Sequence, residues 1–456
     1  MAMVKTKEMN TICAISTPYG SGGIAVIRVS GESAISIVDS LFHGRKSLKE
    51  AAAYTVHYGE VRRDARGEEV LDQVLVSVFH APHSFTGEDV VEIACHGSVY
   101  IQQTLLQWLV DAGCQLAKAG EFTQRAFLNG KMDLTEAEAV ADLIAAQTKA
   151  EKDLALSQLR GGISNELAVL RERLLTITSL IELELDFADH EELEFADRSQ
   201  LNELAEEINT KIDRLVASFK TGNAIKQGIP VAIIGAPNVG KSTLLNALLG
   251  EERAIVSDIQ GTTRDTIEDT LVLGGMLFRF IDTAGLRQTE DTIESMGIER
   301  SRQAAQKAAV IIHLQDATKP VDTLSELEDI SEKKIIQVYN KVDLLGERRE
   351  AKGEERILLS AKNGDVEVLK EELIAYATEQ CDMRNAVTIS NTRHYEALVR
   401  AQEAIKRVQE GLLMQISGEF LSMDLQDCLT ALGEITGQIS SQEVLNNIFS
   451  KFCIGK

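Results

Sequence analysis

The sequence contains no apolar run near the roughly 20 residues that a helix needs to cross a bilayer, so no membrane span is expected. Its six cysteines, at 13, 95, 114, 381, 428 and 453, include no Cys-X-X-Cys pair. That argues against a structural zinc or a disulfide framework and for a reducing, cytoplasmic setting. The charged start, Met1 to Thr11, is followed by no signal-type apolar core. Positive charge is short: 47 Lys and Arg face 70 Asp and Glu, for a net charge of −23. Such a balance excludes a generic nucleic-acid coat but not a local basic site. The acidity is concentrated in Glu182 to Asp197, with eight acids and no Lys or Arg, and RNA is expected to avoid that face. What remains is a globular composition, 44% hydrophobic and 26% charged, with length for two or three domains.

The centre of the chain is Gly235 to Thr243, Gly-Ala-Pro-Asn-Val-Gly-Lys-Ser-Thr, set between the apolar runs Val231–Ile234 and Leu244–Leu249. Strand, glycine loop and helix in that order form a phosphate-binding pattern. Asn238, Val239, Gly240, Lys241, Ser242 and Thr243 are the expected phosphate contacts. Lys241 supplies the charge, Ser242 a Mg²⁺ ligand, and the helix N-terminus its dipole. Asn340, Lys341 and Asp343 follow a strand-like run, and the Asp343 carboxylate can accept from N1–H and the 2-amino group of guanine. Adenine lacks that donor pair, and a lost charged hydrogen bond costs roughly 1.5–3 kcal/mol. Ser360, Ala361 and Lys362 are placed to cover the base oxygen. Asp282, Thr283, Ala284 and Gly285 suit Mg²⁺ and the γ-phosphate. Gly261, Thr262, Thr263, Arg264 and Asp265 form a switch segment, with Thr263 as second Mg²⁺ ligand. Five motifs in this order point to GTP hydrolysis. Leu286 stands where many GTPases place a water-orienting Gln. Glu294 is the nearest carboxylate that could replace it, or a solvated helix residue.

The fold expected is multidomain, α+β and α/β. Residues 1–127 read as an α+β domain, with strands at Ile24–Val29, Val74–Phe79 and Val90–Cys95 and a helix near Val99–Ala112 that holds Trp108, the only Trp. His96 is a turn histidine bonded to backbone, the favoured reading, or a ligand or base. Residues 128–223 carry helical stripes, Leu167 to Ile181 and Leu201 to Phe219. Gly161-Gly162 breaks the first helical run, and Thr221-Gly222-Asn223 is expected to end the second. Residues 224–382 alternate strands and helices around a parallel sheet, with a hairpin at Gly274-Gly275. Residues 383–456 return to helix, and helices on both sides of 224–382 suggest one helical domain with an insertion. Arg393, Arg400 and Arg407 make a basic face or, interleaved with Glu396, Glu403 and Glu410, an ordinary solvated one, which is favoured. Cys453 is a buried end-cap or a reactive thiol.

Over its full length the chain resembles the tRNA-modifying MnmE (TrmE) family. The resemblance is carried by Gly22 to Gly31, Ser84 to Asp89, Gly120 to Lys131, the motifs above and the terminal Cys-Ile-Gly-Lys. It implies an N-terminal domain similar to tetrahydrofolate-binding domains, then a helical bundle with an inserted Ras-like GTPase domain. It implies a homodimer through the N-terminal domains, with 5-formyltetrahydrofolate or another tetrahydrofolate at their interface, contacted by Arg28, Glu92, Lys131 and Lys456. It implies the flavoprotein MnmG (GidA) as partner in a heterotetramer. The product would be a 5-carboxymethylaminomethyl or aminomethyl group on the wobble uridine of certain tRNAs. Potassium-dependent hydrolysis on GTPase-domain pairing is implied too. K⁺ would be held by Asn238, Ser257, Ile259 and Thr262 in a loop that includes Asp258 and Gln260, and Glu294 would position water. Ala236 and Ser257 depart from the family's usual Arg and Thr without removing a ligand. The competing reading is an Era-like ribosome-assembly GTPase, which should carry a basic RNA-binding domain after the GTPase domain.

Overall fold

The structure, a computed structural model, describes residues 10–63, 69–186, 198–250, 269–281, 302–324, 333–345, 356–380 and 387–455. Contacts divide the chain into two compact units. One comprises residues 1–141, 159–164 and 433–456, and the other 142–158 and 165–432. These units do not follow the four sequence segments: the last stretch, from Gly433, packs with the N-terminal part. The cause is apolar. Leu445, Phe449 and Phe452 share a core with Leu134 and Ala137. Gly120, with φ +67°, lies so close to this C-terminal segment that a Cβ would stand 2.7 Å from the Phe449 carbonyl.

The first unit is built on a seven-stranded sheet: β1 (Ile12–Ile15), β2 (Ile24–Ser30), β3 (Phe42–Gly44), β4 (Thr55–Arg62), β5 (Val70–Phe79), β6 (Val90–His96) and β7 (Gln115–Leu116). The order across the sheet is β3-β4-β5-β6-β2-β1-β7, antiparallel except for the β1–β7 pair. Side chains alternate between faces along each strand. One face, with Ile27, Val29, Val76, Val78, Val91 and Ile93, packs with Leu105, Trp108 and Leu109 of α2 (Val99–Asp111) and with α1 (Ala34–Leu41). The three strands and the helix expected from the sequence are present. β1, β3, β4 and β7, which were not expected, complete the sheet. β7 has two residues, too few to show alternation, and the exposed Val56 and Tyr58 of β4 leave it no apolar-in, polar-out pattern.

In the second unit, α6 (Gly162–Asp186), α7 (Arg198–Gln227) and α10 (Thr392–Leu413) carry the helical stripes. Leu167, Leu170, Leu174, Ile177 and Ile181 are buried, as are Leu398, Ala401, Ile405, Val408 and Leu412. α7 and α10 meet through a Phe219–Tyr395 ring stack at 4.3 Å. Gly161, at φ +79°, separates α5 (Lys149–Leu159) from α6, as expected. The expected helix end at Thr221-Gly222-Asn223 is corrected: α7 continues to Gln227, and Gly228, at φ +79°, terminates it. Gly222 is there for close approach, since a Cβ would come within 2.1 Å of the Ile389 carbonyl.

The GTPase-like part holds β8 (Ile229–Ile234), β9 (Asp269–Leu273), β10 (Met276–Phe280), β11 (Val310–Asp316), β12 (Lys334–Asn340) and β13 (Arg356–Leu358). Their order is β13-β12-β11-β8-β10-β9, parallel except for the β9–β10 hairpin. Gly274 and Gly275, at φ +58° and +80°, form its two-residue turn, which requires positive φ at both positions. The central strand β11 is buried from Val310 to Gln315, as expected for a sheet covered on both faces. No helix among the described residues is long and apolar enough to cross a membrane.

Candidate nucleotide and ligand sites

The carboxyl ends of β8, β11 and β12 converge on one cradle. β8 ends at Ile234, and the glycine loop leads into α8 (Lys241–Leu249). Gly235 has no room for a side chain: a Cβ would lie 2.1 Å from the Leu314 carbonyl. Gly240, at φ +98°, caps α8, and a Cβ there would meet the Asn340 amide nitrogen at 2.4 Å. The loop therefore rests against its neighbouring strands through bare backbone. Lys241 Nζ donates to the carbonyls of Gly235 at 2.7 Å and Ala236 at 3.1 Å. Burial pushes its ammonium below the usual lysine pKa, an imbalance that a phosphate chain beside it would reverse. Ser242 and Thr243 are exposed at the start of the helix, and Asn238 is exposed at the loop tip with φ +60°.

The segment expected to read the base is wired into the same loop. Asn340 is 3% exposed. Its amide nitrogen donates to the Val239 carbonyl at 2.9 Å, and its amide oxygen accepts from the Ala361 N–H at 2.9 Å. Asn340 is thus a brace between the phosphate loop and the Ser360–Lys362 turn. Asp343 is exposed, and its carboxylate accepts from Ser360 Oγ at 2.7 Å, which orients it. Lys341 Nζ donates to the Asn238 carbonyl at 2.7 Å and pairs with Asp316 at 2.8 Å. Asp316 was not singled out in the sequence; an Asp closing an apolar strand was the available signal. The remaining sequence expectations here lie outside the described residues: Ser257, Asp258, Ile259, Gln260, Gly261, Thr262, Thr263, Asp282, Thr283, Ala284, Gly285 and Glu294. An exposed hydroxyl at Ser242 and an exposed amide at Asn238 are oxygen donors of the kind that Mg²⁺ and K⁺ take.

A second candidate site lies on the open face of the N-terminal sheet. The paired residues Val56, Ser77, Glu92, Arg28 and Ala14 form one row across five strands. Arg28 bonds Glu92 through Nε at 2.9 Å and Nη2 at 2.8 Å, both to Oε1, which leaves Oε2 to accept another donor. The guanidinium lies 5.4 Å from the Phe85 ring centroid and 5.6 Å from that of Phe122. Next to Phe85, a buried network joins the three N-terminal motifs, Gly22–Gly31, Ser84–Asp89 and Gly120–Lys131. Ser30 Oγ bonds Thr86 Oγ1 and Glu88, both at 2.7 Å. Arg125, 3% exposed, donates to Glu88, to Glu121 and to the Asn10 carbonyl. Asn129 donates to the Thr86 carbonyl at 2.7 Å. Lys131 reaches over Gly87 and bonds the Pro82 carbonyl at 3.0 Å. Lys456 lies outside the described residues, but Gly455 packs against β1, its carbonyl accepting from Ser16 Oγ at 3.2 Å. A partly buried carboxylate beside a cation that lies over two aromatic rings suits a flat, polar ligand.

Three other sequence expectations fall on described residues. His96 is not bonded to a backbone carbonyl: its ring meets Asp72 at 2.7 Å, and Asp72 also accepts its N–H at 2.7 Å. Arg407 pairs with Asp424 and Asp427, so at this position the helix face is an ion-paired one and not a bare basic surface. Cys453 is exposed, whereas Cys13, Cys95, Cys114 and Cys428 are buried thiols.

This strand order and glycine-loop cradle define a Ras-like P-loop nucleotide-binding domain, joined here to a folded N-terminal domain and long helices. The family of the MnmE helical domain matches residues 134–453, and that of the GTP-binding protein TrmE N-terminus matches residues 11–131. "tRNA modification GTPase MnmE" of Parabacteroides distasonis is 52% identical over 98% of this chain and 100% of its own length. The protein of the same name from Flavobacterium johnsoniae is 50% identical over 98% and 100%. The chain belongs to the MnmE (TrmE) family. Among solved structures, the G domain of the T. maritima FeoB iron transporter matches 33% of this chain and 98% of its own at 27% identity. Its TM-score of 0.24 is too low to support any functional argument.

Proposed function

We propose that this chain is a GTP hydrolase of tRNA modification that works with the flavoprotein MnmG to build an aminomethyl-type substituent on the wobble uridine. The observation that carries the GTPase half is Asp343, oriented by Ser360 and wired through Asn340 and Lys341 to the phosphate loop. Base and phosphates are thereby read by one braced unit. Asp343 would accept from the guanine edge, Lys241 and the α8 N-terminus would hold the phosphates, and Ser242 with Thr263 would ligate Mg²⁺. Mg²⁺ and K⁺, when bound, supply positive charge where the β–γ bridge becomes negative. Asn238, Ser257, Ile259 and Thr262 would hold K⁺, and Glu294 would orient the attacking water.

The modification half draws on family membership and on the Arg28–Glu92 face. Arg28, Glu92, Lys131 and Lys456 would bind a tetrahydrofolate, the one-carbon source. A second copy of the chain would cover this face, which leaves Val56, Tyr58 and Leu75 at 61%, 62% and 49% exposure. Apolar area of this kind on a soluble protein is a mark of an interface. The test is reconstitution with MnmG, tRNA, GTP, a tetrahydrofolate and glycine or ammonium in potassium chloride, read by nucleoside mass spectrometry. Modified wobble uridine is expected. Unmodified tRNA alongside brisk GTP turnover would instead favour an assembly switch.

A further inference from the structure

We infer that Asp316 is a positioning residue of the nucleotide site, acting through Lys341 on the backbone of Asn238. The inference rests on the GTPase reading above, and on the potassium reading for one of its two readouts.

Asp316 is the last residue of β11 and stands in register with Asn340, the last of β12. This places it beside Lys341. Its Oδ2 takes the Lys341 ammonium at 2.8 Å, and the same ammonium donates to the Asn238 carbonyl at 2.7 Å. Lys341 and Asn238 both hold left-handed backbone, at φ +68° and +60°. That conformation is uncommon for side-chain-bearing residues and persists where contacts enforce it. The lysine stem has many rotamers, and a carboxylate at its far end selects the one that reaches the phosphate loop. With the Asn238 carbonyl pinned, its backbone and the Cα–Cβ direction are set, which narrows where the side-chain oxygen, the proposed cation ligand, can reach.

The two carboxylate oxygens of Asp316 have separate tasks. Oδ1 accepts from the Thr318 N–H at 2.9 Å and from Thr318 Oγ1 at 2.7 Å, closing the turn after β11. Oδ2 serves Lys341. The lysine, followed by the Thr318 hydroxyl, holds the Asp316 carboxyl down to about 2. A depressed carboxyl gives its stabilisation above the ordinary carboxylate range and loses it only as pH falls through about 2, so the pair is intact throughout the neutral range.

The separation makes the inference testable on the full-length protein. Asp316→Asn keeps the shape and an oxygen for Thr318 but removes the charge that holds Lys341. Thr318→Val removes the turn's hydroxyl bond and leaves Oδ2 untouched. The measurements are the Kd for a fluorescent GDP and the K⁺ concentration that gives half-maximal GTP hydrolysis. Asp316→Asn is expected to raise both by about 5- to 20-fold, with a smaller loss in kcat at saturating GTP and K⁺. Lys341→Met should match it, and the double variant should add little, because both break one chain of contacts. Thr318→Val should stay near wild type. Wild-type values in Asp316→Asn, or a Thr318→Val variant with the same loss, would overturn the inference. A wild-type protein indifferent to K⁺, with Asp316→Asn still weak for GDP, would sink the potassium reading and leave this one standing.

Discussion

The two sheets of this protein put their chemistry in different places. The six-stranded sheet is covered on both faces, so its functional groups emerge only from loops at the carboxyl edge. Among the described residues one face of the N-terminal sheet is covered by helices, and the proposed ligand-contacting pair Arg28 and Glu92 sits mid-strand, paired across the pleat. Each loop of such a site is contiguous in sequence and mostly backbone, which makes it a motif. A mid-strand site is assembled from residues 64 positions apart, and no local pattern announces it. The lesson concerns robustness too. The loop site is braced by Asn340, Lys341 and two glycines without room for a Cβ, while the face site depends on a polar network beneath one phenylalanine.

The sharpest way to separate the regions is Lys241→Met. GTP hydrolysis should fall by about 100-fold or more, as expected when a charge aimed at the transferring phosphoryl group is lost. Folate titration should be unchanged. Thermal unfolding of the nucleotide-free protein should occur at the same temperature or higher, because a buried ammonium is removed. A loss of folate binding would break the comparison by showing that the regions are coupled. Next in size is Asp343→Asn, which should cost GTP about 10- to 100-fold in affinity and gain xanthosine triphosphate, measured by competition binding. Unchanged base preference would remove Asp343 from base reading.

Arg28→Ala tests the other side. It should weaken tetrahydrofolate binding about tenfold or more, through loss of the cation and release of Glu92, with the GDP Kd unaltered in the same preparation. Normal folate titration would discredit the face site. The smallest effect is expected from Val56→Ser with Tyr58→Ser, which should raise the dissociation constant of the homodimer several-fold in sedimentation equilibrium. An unaltered association state would mean that something other than a second copy covers this face.

The strand, glycine loop and helix of the candidate nucleotide site were legible because phosphate binding needs glycine, lysine and hydroxyl at set spacing, and Gly235, Lys241 and Ser242 have that spacing. The helical stripes were legible because burial repeats every three to four residues. Asp316 was not, since its importance lies in a register with Asn340 on another strand. Gly222 misled: a glycine within a helix reads as a stop, and only the carbonyl of Ile389 beside it explains why the helix runs on. The Ser30–Thr86–Glu88–Arg125 network was invisible as a network, although two of the family marks, Ser84–Asp89 and Gly120–Lys131, hold most of its members.

The sequence by itself determined the glycine loop set between a strand and a helix, because that depends on local backbone chemistry. It also determined which helix faces are buried. Tertiary structure alone decided that Asn340 is a brace, that Asp316 and Lys341 hold Asn238, that Arg28 pairs with Glu92 and lies over two aromatic rings, and that the chain from Gly433 packs with the N-terminal part. Each of those depends on which strands and helices become neighbours, and that is settled by burial summed over a whole core, not by any short run of residues.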